Sequence, residues 1–112
     1  MDLSVRNTLS VVIPTFNEEG NIELLYNKLR KTIKPLKLEA LELIFVDDGS
    51  HDDSLKIIKQ LASNDDQVKY ISFSRNFGHQ LALKAGLDHA RFQGVVSLDA
   101  DLQHPVELIP KM

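Results

Sequence analysis

Two aspartates one residue apart, Asp99 and Asp101, close an apolar run in SLDADLQHP, Ser97 to Pro105. Carboxylates are strongly solvated, and burying one without a partner is costly. An acidic pair at a strand end therefore faces water or holds something positive. In extended chain, residues i and i+2 point the same way with Cα atoms about 7 Å apart. Asp99, Asp101 and Gln103 can thus turn oxygens to one side. Two carboxylates and an amide carbonyl, in a chain without cysteine, suit Mg2+ or Mn2+ rather than zinc. Mg2+ takes only one or two protein carboxylates and fills its shell with water and phosphate oxygens, so such a set implies a phosphate-bearing ligand. His104 lies beside the set and reads as a loop histidine.

The elements that must position this pair alternate regularly. LSVVIP (Leu9 to Pro14), LELIFV (Leu41 to Val46), VKYISF (Val68 to Phe73) and GVVSL (Gly94 to Leu98) are short, rich in β-branched or aromatic residues and bounded by polar ones, as strands are. The first, second and fourth are nearly continuously apolar, which suits strands covered on both faces. Between them, Ile22, Leu25, Leu29 and Ile33 recur at helical spacing and stop before Pro35. Leu55, Ile58, Leu61 and Ala62 form a second stripe, opened by Ser50 and Asp53 as an expected capping box. A third helix is expected from His79 to Arg91, with Ala82, Ala85 and Gly86 on one side and Leu83, Leu87 and Ala90 on another, a pattern that predicts burial on more than one side. Strand and helix in alternation predict an α/β fold with a mostly parallel, Rossmann-like sheet, helices on both faces and right-handed crossovers.

Ligands of such sheets bind at the carboxyl ends of the strands, near the switch in strand order. There the chain puts PTFNEEGN, DDGSHDD, SRNFGHQ and DADLQHP. Asp47, Asp48, Asp99 and Asp101 would gather at one edge and repel one another unless a cation or ligand donors offset the repulsion. Asn76-Phe77-Gly78 can offer backbone N–H groups to a phosphate at the start of the third helix. Neither GxGxxG nor GxxxxGK[ST] occurs, so dinucleotide and P-loop binding are unsupported. His51, His79 and His89 have no triad partners in the pattern and read as structural or surface residues.

The 112 residues make one domain, with 43% hydrophobic and 26% charged residues as in ordinary globular proteins. A net charge of -3 gives no basic face for nucleic acid. No apolar run approaches the roughly 18–20 residues that span a bilayer, and the N-terminal apolar stretch, ended by Pro14, reads as a strand rather than a signal peptide. The final PVELIPKM resembles the start of a further helix, so the sequence is expected to be the front part of a longer protein.

VVIPTFNEEGNI, FVDDGSHDDS, FSRNFGHQLALKAGLDHA and LDADLQHP, in this order and spacing, resemble the family 2 glycosyltransferases from Leu9 to Pro110. The branch most resembled is the dolichyl-phosphate mannosyltransferase-like one, which includes bacterial enzymes that load sugars onto polyprenyl phosphate. The resemblance implies the nucleotide-sugar-binding half of the fold called GT-A, with Mg2+ or Mn2+ at the DxD motif. It implies that Pro14, Thr15, Phe16, Asn17 and Glu18 line the base and ribose pocket, and that Asp47 and Asp48 contact base or ribose. Asn76 and Ala100 are counted with the same pocket. Asp99 would serve ribose and metal, Asp101 would be the principal metal ligand, and Gln103 would also contact the metal. Phe16 stands where the family commonly has tyrosine, which keeps stacking and loses a phenolic hydrogen bond. Phe92-Gln93 replaces the Gly-Asp or Gly-Glu pair that often closes the third helix, so that helix end is expected to be displaced.

The implied partners are a UDP- or GDP-sugar and a polyprenyl phosphate acceptor. The family places acceptor-binding residues and any catalytic base later in the chain, so no base is named and these residues alone are expected to have little transferase activity. Related proteins carry hydrophobic helices later in the chain, which would make this segment the soluble part at the cytoplasmic face of a membrane. Three other readings compete. A receiver-type signalling domain shares the size and an acidic pocket, but it has an acidic pair where the first strand ends, the phosphorylated Asp where the third ends and a lysine on a fifth strand. Here the first strand ends in Pro-Thr-Phe-Asn and the third in Ser-Arg-Asn. A sugar-phosphate nucleotidyltransferase joins nucleotide, sugar phosphate and metal on a similar sheet but uses a Gly-rich basic first loop, where this chain has acidic TFNEEGN. A nucleotide-binding segment without activity fits the same residues.

Overall fold

The computed structural model describes residues Thr8–Ala100. Asp101, Gln103 and His104 lie outside the described residues. Four strands, β1 (Thr8–Thr15), β2 (Ala40–Asp47), β3 (Val68–Ser72) and β4 (Gly94–Ser97), form one sheet in the order β3-β2-β1-β4. Every pairing is parallel, with Thr8 opposite Ala40, Leu43 opposite Val68 and Leu9 opposite Gly94. Helices α1 (Ile22–Ile33), α2 (Ser54–Asn64) and α3 (His79–His89) make the crossovers, and a short 3-10 turn, Lys34–Leu36, follows α1.

The two faces of the sheet divide the apolar residues by strand alternation. Leu9, Val11 and Ile13 of β1 join Leu43 and Phe45 of β2 under Ile22, Leu25 and Leu29 of α1 and Ile58 of α2. The intervening Val12, Ile44 and Val46 face the other way and pack under Ala82 of α3. Helices α1 and α2 thus cover one face and α3 the other. The chain switches faces when it passes from β3 back across the sheet to β4, which places the switch point between β1 and β4.

Small residues let α3 lie close. A Cβ at Gly86 would stand 2.2 Å from Val12 Cγ1 and 3.1 Å from Val46 Cγ2. The side carrying Leu83, Leu87 and Ala90 is not a second buried face: Leu83 and Ala90 are half-buried, but Leu87 is 44% exposed. α3 ends at His89, two residues earlier than its pattern predicts. From there the chain descends to β4 by giving three amides to side chains. Arg91 N–H donates to Glu42 (2.9 Å), Phe92 N–H to the Ser10 hydroxyl (3.2 Å) and Gln93 N–H to the Thr8 hydroxyl (3.1 Å). Those polar anchors replace a glycine-led turn at Phe92-Gln93.

Strands β1 and β2 are buried along nearly their whole length, as their apolar runs require. β4 departs from the expectation of cover on both faces. Its burial alternates, Val95 is 42% exposed, and among the described residues β1 is its one strand neighbour. No helix among the described residues is long and apolar enough to cross a membrane.

Candidate functional site

The crevice at the switch point begins with a proline. Main-chain groups alternate sides along a strand, so Pro14 faces β4 as Val12 does, and the Val12 carbonyl accepts the last bond of that ladder from Leu98 N–H at 3.0 Å. Pro14 has no N–H to extend the ladder. On the other side β1 and β2 stay joined as far as Thr15, three residues further along β1, where Asp48 N–H donates to the Thr15 carbonyl at 2.8 Å. The strands therefore part between β1 and β4 while the loops after β1 and β2 remain together.

Those two loops are clasped by five bonds. Asn17 adopts φ 53°, a left-handed conformation that asparagine tolerates better than most residues. Its N–H donates to Ser50 Oγ (2.9 Å), and its Oδ1 accepts from His51 N–H (2.8 Å). Glu18 N–H donates to Ser54 Oγ (2.8 Å), and Glu19 N–H to Asp52 Oδ2 (3.1 Å). Asp53 N–H donates in return to Glu19 Oε1 (2.9 Å). The expected Ser50–Asp53 capping box is thus absent. Ser50 Oγ is taken by the first loop, α2 begins only at Ser54 with Asp53 as an N-cap that makes no side-chain cap bond, and Asp52 instead accepts Ser54 N–H at 2.9 Å. Burial pulls the Asp52 carboxyl upward, but bonds from Ser54 and Glu19 outweigh it and hold the group below the usual carboxylate range.

Asp47 and Asp48 are 2% and 3% exposed. Asp47 Oδ2 accepts Ser50 N–H at 3.3 Å, while its buried Oδ1 has no hydrogen-bond partner. Asp48 gathers the third loop: Phe77 N–H donates to Oδ1 (2.7 Å), and Gly78 N–H (3.0 Å) and Asn76 Nδ2 (3.2 Å) donate to Oδ2. The amides of Phe77 and Gly78, expected to face a phosphate, are therefore taken by Asp48. Gly49 makes this approach possible. It holds φ +72°, and a Cβ there would lie 2.2 Å from the Arg75 carbonyl carbon and 2.5 Å from Asn76 N.

Asp99 follows Leu98, whose N–H is the last rung of the β1–β4 ladder, and its Oδ1 lies 3.0 Å from His79 Nε2 at the start of α3. The repulsion expected among the aspartates is thus answered, for the three described ones, by the protein's own donors.

These loops enclose a cavity of about 310 Å³. Pro14, Thr15, Phe16, Glu18, Asp48, Asn76, Asp99 and Ala100 line it, so most of the residues singled out in the sequence meet there. Asn17 and Asp47 do not line it: Asn17 joins the first and second loops, and Asp47 accepts Ser50 N–H within its own loop. His79 and Ala82 line it without a motif to predict them, and Gly78 lines it beside Asn76. The sequence pattern holds no partner for His79, because Asp99 lies twenty residues along the chain and is adjacent only once α3 lies across the sheet. Thr15 is buried with its hydroxyl donating to the Ile13 carbonyl at 3.1 Å, whereas the ring of Phe16 is 40% exposed and meets His51 edge-on at 6.1 Å. An open aromatic face beside a polar cavity suits a planar base.

Among the described residues no three His, Cys, Asp or Glu side chains come together as a metal site. The donor chemistry still fits a hard cation: Asp99 lines the cavity with a carboxylate, and Asp101 and Gln103 follow directly with two further oxygens.

The profile of Glycosyl transferase family 2 matches residues 10–112. The Escherichia coli (strain K12) prophage bactoprenol glucosyl transferase homolog is 44% identical over 104 residues, 93% of this chain and 34% of that protein. Mannosyltransferase PcManGT from Pyrobaculum calidifontis, solved with GDP-Man and Mn2+, superposes with a TM-score of 0.77 and 27% identity over 96% of this chain and 31% of that one. Glucosyl-3-phosphoglycerate synthase from Mycobacterium tuberculosis, solved with Mn2+, UDP and glucosyl-3-phosphoglycerate, superposes at 0.66 with 31% identity over 96% and 38% of the two chains. The chain spans about a third of the length of the curated relatives it matches. With the strand-end cavity, the motif residues around it and a profile covering nearly the whole sequence, the chain belongs to glycosyl transferase family 2.

Proposed function

We propose that this chain binds a nucleoside-diphosphate sugar, a UDP- or GDP-sugar, in the switch-point cavity, for transfer of the sugar to a polyprenyl phosphate at a membrane face. The observation that carries the reading is the meeting of Pro14, Thr15, Phe16, Glu18, Asp48, Asn76, Asp99 and Ala100 around one cavity at the carboxyl edge of a parallel sheet. The acceptor is supported by the bactoprenol glucosyl transferase homolog, and the donor by relatives solved with GDP-Man or UDP.

In this reading Phe16 offers its ring to the base. Asp48 holds Asn76, Phe77 and Gly78 as the far wall. The clasp of Asn17, Glu18 and Glu19 to the second loop keeps the base end of the cavity from opening. Asp99, Asp101 and Gln103 would hold Mg2+ or Mn2+, which when bound neutralises charge on the departing diphosphate. A polyprenyl phosphate acceptor is already an anion and needs little help from a base; a hydroxyl acceptor would need one.

The test is thermal shift and calorimetry with UDP, GDP and their sugars, with and without Mn2+. Saturation at a hundredfold over Kd stabilises a fold by about 2.7 kcal/mol, several degrees in Tm. One nucleotide should give a Mn2+-dependent rise that Asp101→Ala abolishes. A folded protein that responds to none of them overturns the reading. Transfer of labelled sugar to undecaprenyl phosphate by the full-length protein tests the acceptor.

A further inference from the structure

We infer that His79 is a positioning residue for Asp99, holding that carboxylate at the wall of the cavity in the orientation a divalent cation and a diphosphate would meet; the inference rests on the nucleotide-sugar reading above.

Both partners sit on fixed backbone. Asp99 lies one residue past Leu98, whose N–H is bonded to the Val12 carbonyl in the body of the sheet. His79 lies one residue past Gly78, whose N–H is bonded to the buried Asp48 carboxylate. Between these two anchors the side chains close the remaining gap, with Nε2 3.0 Å from Oδ1. A carboxylate only accepts, so Nε2 is the donor and carries the hydrogen. A continuous run of bonds thus leads from Asp48 through the third loop and His79 to Asp99, tying the second, third and fourth strand-end loops around one cavity.

Stability does not account for the pair. The His79 and Asp99 side chains are 59% and 34% exposed, and exposed ion pairs contribute little to folding. Lys84 and Asp88, one turn apart on α3 at 2.9 Å, show what such a pair looks like when it only decorates a surface: both side chains are at least 60% exposed and neither lines the cavity. His79 and Asp99 instead join separate elements and both line the cavity. A carboxylate that must take up a cation from one direction gains from a donor fixing its rotamer, which is how outer partners orient metal ligands.

The experiment uses the intact chain. Calorimetry measures UDP and GDP binding in EDTA and in Mn2+, and the electron paramagnetic resonance of free Mn2+ gives the metal affinity in the presence of the nucleotide that binds. His79→Ala should weaken Mn2+ about tenfold, the low end for loss of an outer-shell partner, and leave nucleotide affinity in EDTA within about twofold. His79→Gln, whose amide N–H reaches to about the same point as Nε2, should recover most of the loss, and His89→Ala should change nothing. Tm values of the variants check that the fold is kept. The inference falls if His79→Ala leaves Mn2+ affinity unchanged, or weakens nucleotide equally with and without metal. It also falls, with the nucleotide reading intact, if the wild-type chain binds nucleotide indifferently to Mn2+. If neither nucleotide binds under any condition, both fall.

Discussion

The two ends of the sheet each carry buried acid, and they use it differently. At the amino end, Glu42 is 3% exposed and accepts from the Ser10 hydroxyl (2.7 Å) and Arg91 N–H (2.9 Å), with Arg91 Nε 3.5 Å away. It also lines a depression of about 270 Å³, but the walls there are β2, β3 and the end of α3 rather than loops from the carboxyl ends of the strands. At the carboxyl end, Asp48 is as well supplied with donors, but the cavity it lines is walled by the loops after all four strands, and Asp99 in the same wall is a third exposed. Among the described residues a larger depression, about 670 Å³, lies at the amino end of β2 among Arg30, Lys31, Lys34 and Lys37. Size therefore does not mark the site. Convergence of loops at a switch in strand order does, because there the strands must part and their ends remain accessible.

Substitutions can break this contrast. The largest effect is expected from Gly49→Ala at the carboxyl end. A Cβ at φ +72° and 2.2 Å from backbone must drive the second and third loops apart, a loss of about 3 kcal/mol or more in chemical denaturation. Asp48→Ala strands three N–H donors and Glu42→Ala strands a hydroxyl and an amide. Each should cost about 2–3 kcal/mol. Only Asp48→Ala should also abolish nucleotide binding in calorimetry; equal binding losses in the two would erase the distinction between the ends. Asp99→Asn inverts the pattern, with a stability change under about 1 kcal/mol for an exposed pair and loss of the Mn2+-dependent part of nucleotide binding.

The smallest effect is in acid. Asp52 at the carboxyl end and Asp65 at the amino end are both held below the usual range. In Asp65, burial acts upward and is outweighed by the Tyr26 hydroxyl, Gln67 N–H and the Arg30 charge. A folded-state pKa below the unfolded one stabilises above the unfolded value and is lost as pH falls through the folded one. Tm should therefore drop as pH is lowered below about 4. Asp52→Ala and Asp65→Ala should each flatten part of that drop, and an unchanged slope in both would show that neither bond contributes.

Much of the fold was legible because apolar alternation and turn residues are local. The four strands, the stripe Ile22-Leu25-Leu29-Ile33 and the acidic strand ends all read directly from spacing. What failed was decided by contact between loops. Ser50 and Asp53 have the spacing of a cap, yet Ser50 is taken by Asn17, thirty-three residues away. Leu87 has an apolar side chain at a helical position, yet α3 packs on β1 and β2 and leaves it outside. Asn17 and Asp47 belong to the right motifs but do not line the cavity: Asn17 joins two loops and Asp47 braces its own.

The sequence by itself determined the alternating elements, the placement of acid after the strands and the family to which the chain belongs, because each depends on residues near one another in the chain. Only the tertiary structure decided which acids serve the fold and which face the cavity. Asp48 and Asp99 are the same residue type at the same kind of position, but their donors come from Asn76, Phe77, Gly78 and His79, and parallel strands bring such distant residues together only when the crossovers have closed.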